Sequence, residues 1–273
     1  MASSSRRYYP LNYPNSTYSG LTGIRSRTRC DRTEIFVTGF YRTETNTNSQ
    51  SFVYQGYARP PGKALEGRKR SEEKGDGVFH NLNYPPQPNL TPTATELYSL
   101  DLISKRKIHA VGSFSAEEFT GVQGCLYTGP LTGLGKSWPS GQQSELSSRS
   151  ESPVKAEGDW KPLVPQGLTV LPILNTIAHS VMGDVVVGNY KTDERFSNAF
   201  IYDIKTDQYF PLVTSEFPIV SISAYGVWHN GNEGYSRPSG QRSKRSGEDH
   251  SRPSGQRSEE EYVIVGGLAR SGL

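Results

Sequence analysis

The sequence predicts an all-β fold, a propeller-like array of about four four-stranded repeats of about 50 residues each. Three observations carry the prediction. A short strand closed by glycine occurs four times. A tyrosine-bearing strand follows the first three at nearly constant distance. No segment holds the i, i+3, i+4 spacing of an amphipathic helix.

The glycine-closed strands are "EIFVTGFY" (34–41), "KIHAVGSF" (107–114), "DVVVGNYK" (184–191) and "EYVIVGGL" (261–268), rich in the β-branched and apolar residues that suit a pleated surface. Behind them come "SFVYQG" (51–56), "GCLYTG" (124–129) and "NAFIYD" (198–203). Gly39 to Tyr54 and Gly112 to Tyr127 are both 15 positions, and Gly188 to Tyr202 is 14. A third strand places an aromatic residue three positions before Leu11, Leu82, Leu163 and Leu212. A fourth, of small, hydroxylated and apolar residues, precedes each glycine-closed strand: "STYSGLTGI" (16–24), "ATELYSLDL" (94–102), "NTIAHSVM" (175–182) and "SISAYGVWHNG" (221–231). Four short strands per unit cannot bury their own faces, so neighbouring units must stack.

The spacing is regular once three polar segments are set aside. Leu163 to Leu212 is 49 residues, whereas Leu11 to Leu82 is 71 and Leu82 to Leu163 is 81. Removing 59–76 and 136–158 brings the longer intervals to 53 and 58, and removing 236–261 brings Gly188–Gly266 from 78 to 52. The octapeptide SRPSGQRS occurs twice within 236–258, and "SWPSGQQS" (137–144) matches it at six of eight positions. These Ser-, Gly-, Pro- and charge-rich stretches read as related flexible insertions of a mobile element. The chain therefore reads as a single repeat domain over 1–273, with units at roughly 8–78, 79–159, 160–208 and 209–273. A β-sandwich of short strands is the competing all-β arrangement.

The charge follows the same division. The chain carries 30 basic and 27 acidic residues, and the three insertions hold 15 and 12 of them, so the repeats themselves are neutral. Interspersed Glu and Asp cancel most of the insertions' field, which argues against nucleic acid as a partner. The two cysteines, Cys30 and Cys125, fit neither a disulfide scaffold nor a zinc site, and neither metal nor cofactor is expected. No apolar run approaches the roughly 18–20 residues of a spanning helix. The start, "MASSSRRYYPLNYP", has no apolar core of a secretory signal; a soluble protein of undetermined compartment is expected.

Residues 179–212, "HSVMGDVVVGNYKTDERFSNAFIYDIKTDQYFPL", resemble the HAF repeat, whose His-Ala-Phe triplet stands here as Asn198-Ala199-Phe200. "SISAYGVWHNGNEGY" and "YVIVGG" look like the next copy, split by an insertion, while the first two units depart with "SFVY" and "GCLY". The resemblance covers about 200 residues. It implies a propeller-like fold in a bacterial, commonly exported protein, and implies no activity.

The fourth unit lacks an AFIYD-type strand. The array reads as incomplete, either a truncated gene product with little function or one that completes itself by association through an open edge. His179 and His229 fall in corresponding strands, "AHS" and "WHN", so histidines facing one channel are conceivable, though backbone-bonding repeat residues are the plainer reading. Tyr190, Tyr225 and Trp228 recur at matched positions with other aromatics and offer ring faces for sugar stacking or packing between units. Asp184, Asp203 and Asp207 lie at strand ends, where Asp ordinarily caps turns. The expectation is a non-catalytic scaffold that binds protein or glycan, with His179, His229, Trp228, Tyr225 and Tyr190 as ligand-binding candidates. The rival is a propeller-fold carbohydrate-active enzyme using Asp184 and the histidines.

Overall fold

The computed structural model describes residues 11–29, 32–58, 77–104, 107–131, 158–193, 195–213, 219–229 and 262–270. Cys30 and nearly all of the three insertions lie outside the described residues. The described chain is all-β, with one 3-10 turn at Gln166–Leu168.

Four antiparallel sheets follow one another along the chain. Sheet 1 holds β1 (Tyr18–Arg29), β2 (Arg32–Arg42), β3 (Gln50–Ala58) and β4 (Val78–Asn81). Sheet 2 holds β5 (Pro92–Leu102), β6 (Lys107–Ala116), β7 (Gln123–Pro130) and β8 (Asp159–Leu163). Sheet 3 holds β9 (Asn175–Met182), β10 (Val185–Lys191), β11 (Asn198–Asp203) and β12 (Gln208–Pro211). Sheet 4 pairs β13 (Ile219–His229) with β14 (Tyr262–Arg270). In every sheet the strands pair in chain order.

The strand types are those read from the sequence, but the sheets are phased one strand later than the units. The aromatic–Leu strand closes a sheet instead of opening one: Phe200 pairs with Pro211 and Tyr54 with Phe79. A strand belongs to the sheet whose ladder takes its backbone N–H and C=O groups, and the tyrosine strand before it offers the open edge. Each insertion consequently joins two strands that pair with each other: β3 to β4, β7 to β8, and β13 to β14. The described part of the first aromatic–Leu segment, 11–17, is not strand. It packs on sheet 1, where Tyr13 stacks on Tyr41 at 3.6 Å, just as Tyr84 stacks on Phe114 of sheet 2 at 3.9 Å.

Each sheet packs on the next one along the chain. Alternation along the glycine-closed strands explains how the two middle sheets are buried on both faces and the outer two on one. Ile108 and Ala110 of β6 turn toward Phe36 and Val53 of sheet 1, while Val111 turns toward Ala178, Val181 and Val186 of sheet 3. Val187 of β10 then meets Ala224 and Val227 of sheet 4. One backbone hydrogen bond recurs at every junction. Five residues before Tyr54, Tyr127 and Tyr202, the carbonyls of Ser49, Val122 and Ser197 accept from Thr95, Thr176 and Ile222 of the next sheet at 2.9, 2.9 and 2.8 Å.

The repeated glycine has a steric cause. Each first strand carries a β-bulge opposite it, at Thr22, Tyr98, His179 and Tyr225. The bulge pushes a carbonyl across the ladder. A Cβ on Gly39, Gly112, Gly188 or Gly266 would overlap the carbonyl oxygen of Gly20, Glu96, Ile177 or Ser223, each two residues before the bulge.

Candidate functional site

The bulges set the candidate site. A bulged residue stands outside the alternation of its strand and is aimed at the neighbouring sheet. Because the first strands of successive sheets adjoin, the bulged side chains of β5, β9 and β13 form a row. The Tyr98 and His179 ring centroids are 5.5 Å apart, and His179 meets Tyr225 edge-on at 5.1 Å and 72°. In sheet 1 the same position is Thr22, whose hydroxyl donates to the Leu97 carbonyl at 2.6 Å.

Tyr98 and His179 are half-buried and Tyr225 is exposed. Burial lowers the His179 pKa to about 4, so its imidazole is neutral at pH 7. The Tyr98 hydroxyl donates to the Glu96 carboxylate at 2.8 Å, and burial together with that carboxylate holds the phenol well above its ordinary range. A cavity of about 130 Å3 lies beside Tyr98, lined by Glu96, Ser113, Phe114, Val122 and Ile177 among others. The site thus presents flat uncharged rings edged by one carboxylate. An open groove of about 510 Å3 lies at the strand ends between Glu117–Thr120 and Ile173–Leu174. Its Glu118 carboxylate already accepts the Thr91 N–H, at 2.8 and 2.9 Å from its two oxygens.

Of the five residues singled out in the sequence, His179 and Tyr225 come together here. His229 does not join them, because it lies four residues past the bulge of β13 and its counterpart in sheet 3 is Gly183. Its ring meets Tyr262 edge-on at 5.2 Å and its N–H lies 3.0 Å from the Met182 sulfur. The corresponding-strand argument for a histidine channel therefore fails in register. Trp228 stands on the open face of sheet 4, on the side of Val263 and Val265. Tyr190 is a core residue between sheets 2 and 3, at the position that Tyr41 and Phe114 fill in their own cores.

Asp184, Asp203 and Asp207 hold hairpin turns and the junction of sheets 2 and 3. Asp184 lies 2.6 Å from Lys205, Asp203 accepts the Lys205 N–H at 2.8 Å, and Asp207 takes Lys161 and the Tyr202 hydroxyl. His109 donates from Nδ1 to the Gly183 carbonyl at 3.0 Å while Asp101 accepts the Gly183 N–H at 2.7 Å. Sheet 2 thereby clamps the β9–β10 turn, whose Gly183 has φ +57°. Among the described residues, no three His, Cys, Asp or Glu side chains converge as a metal site, and no helix is long and apolar enough to cross a membrane.

Tyr98 is the residue that sequence reasoning missed. Its signal was present: the apolar pairs Leu21/Ile24, Leu97/Leu100, Ala178/Val181 and Ala224/Val227 are three apart, and a strand keeps two such residues on one face only if a bulge lies between them. No family model, curated protein or solved structure matches this chain.

Proposed function

We propose that this chain is a non-catalytic binding scaffold, a propeller-like array whose sheets are blades, and that it takes a glycan across the row Tyr98–His179–Tyr225. The observation that carries the reading is that three aromatic rings from successive sheets occupy one repeat position, with the His179 centroid 5.5 Å from that of Tyr98 and 5.1 Å from that of Tyr225. Sugar rings offer C–H faces to aromatic rings, and their hydroxyls donate well to a carboxylate such as Glu96. The adjoining cavity of about 130 Å3 is too small to enclose a sugar ring, so the ligand lies over the row and inserts at most a hydroxyl group. The resemblance to HAF repeats, common in exported bacterial proteins, fits a glycan-facing role. A catalytic reading through Asp184 has less to support it, since that carboxylate is 2.6 Å from Lys205, on a turn.

A glycan array followed by titration calorimetry tests the proposal. The expected result is binding that Tyr225→Ala weakens at least about tenfold, the loss of one stacked ring being worth roughly 1–3 kcal/mol. Absence of any glycan ligand, or binding indifferent to both Tyr225→Ala and Glu96→Gln, would overturn it.

A further inference from the structure

The two end sheets of the array each expose apolar residues at positions that are buried at the internal junctions. At each internal junction the following sheet contributes the residues one before and two after its bulge: Leu97 and Leu100, Ala178 and Val181, Ala224 and Val227. All six are at most 1% exposed. The same positions in sheet 1 are Leu21 and Ile24, apolar like the others, yet 51% and 62% exposed. The preceding sheet contributes the residue before its repeated glycine: Thr38, Val111 and Val187 are 0% exposed at the three internal junctions. In sheet 4 that residue is Val265, at 50%. Beside it stand Val263, whose counterparts Phe36 and His109 are buried toward the next sheet, and Trp228, whose counterpart Asp101 bonds to Gly183 of the next sheet.

We propose that a second copy of this chain occupies these faces, head to tail, with sheet 4 of one copy seated on sheet 1 of the other. The interface is made three times inside the chain between the same repeat positions of first and second strands, with Val53, Leu126 or Ala199 added from the third strand of the preceding sheet; sheet 4, described as two strands, offers the first- and second-strand part of it. Leu11 and Tyr13 already cover the outer part of the sheet 1 face, packed with Val37, Tyr41, Phe52 and Tyr54. That leaves Leu21 and Ile24 for the incoming sheet. Two copies joined twice by this heterologous contact close into a ring of eight sheets, within the range of about four to eight blades that propellers adopt. The proposal is independent of the ligand reading.

Sedimentation velocity on the full chain, with light scattering, tests it. The expected species has twice the mass of one chain. Ile24→Glu, which spoils the sheet 1 face, and Val265→Glu, which spoils the sheet 4 face, should each reduce it to a single chain. Both side chains are exposed in the single chain, so unchanged circular dichroism is expected, and Leu21→Glu with Trp228→Glu serves as the second pair should either fail to fold. Mixing the two variants should restore a twofold mass, because each retains the face the other lacks. A single chain at every concentration overturns the proposal, leaving the faces to a different partner. So does an assembly that survives either variant, or variants that stay monomeric on mixing.

Discussion

Three histidines hold their neutral form because the fold buries them. Burial lowers the pKa of His80, His109 and His179 from the ordinary value of 6.5. At His109 the Gly183 carbonyl, Asp184 and Asp101 offset part of the effect. Among the described residues neither ring nitrogen of His80 has a hydrogen-bond partner, and His80 lies in β4 opposite Val53. A base whose folded pKa is depressed takes up its proton more readily in the unfolded chain, so stability is complete above the unfolded value and is lost as pH falls below it. For His179 the window runs from 6.5 down to about 4. Urea denaturation at stepped pH should show a steady loss of stability across that window, and His179→Phe should flatten it while keeping a ring between Tyr98 and Tyr225. Equal stability at both ends of the window would show that these histidines are not buried as described.

At the scale of the strand, the bulge and its glycine form one device. Gly112→Ala should destabilise by about 1–3 kcal/mol or more, because the added Cβ meets the Glu96 carbonyl and the Leu97 Cα, backbone atoms that cannot rotate away. Gly167→Ala in the 3-10 turn has nothing within 4 Å of its Cβ and is the control. Urea midpoints of the two variants decide the matter. This device also marks how far the sequence could be read. The glycine-closed and tyrosine strands were legible because a short β-branched run ending in Gly has few other uses. The sheet boundaries were not, because "FHNLNYP" lies between two sheets and serves both: Phe79 pairs with Tyr54 of sheet 1 while Tyr84 stacks on Phe114 of sheet 2. The residue types of His179 and Tyr225 make them candidates, but strand correspondence alone pairs His229 with His179 where register does not, and of the two uses open to the Tyr190 ring, stacking on sugar or packing between units, the structure has the packing one.

Across the whole molecule, stability is held locally, sheet against sheet, and long connections cost little where their ends already meet. His229 and Tyr262 are cross-strand partners, yet 32 residues separate them in the chain. The ladder below them continues through Trp228–Val263, Val227–Ile264 and Gly226–Val265, so the register of sheet 4 is carried by its own strand pairs. Replacing residues 230–261 by a four-residue turn should leave the circular dichroism spectrum unchanged. It should also raise stability by about 2 kcal/mol, since closing a loop shortened eightfold costs less entropy as the logarithm of its length. The same substitution for residues 59–76 in the β3–β4 connection should behave alike, because the Gln55–Val78 pairing is made by the strands that flank it. Thermal melts of the shortened chains measure both. A drop in melting temperature or a loss of cooperativity would mean that the inserted segments pack on the sheets and contribute to the fold, and the 49-residue spacing of Leu163 and Leu212 would then be the exception among the units and not their rule.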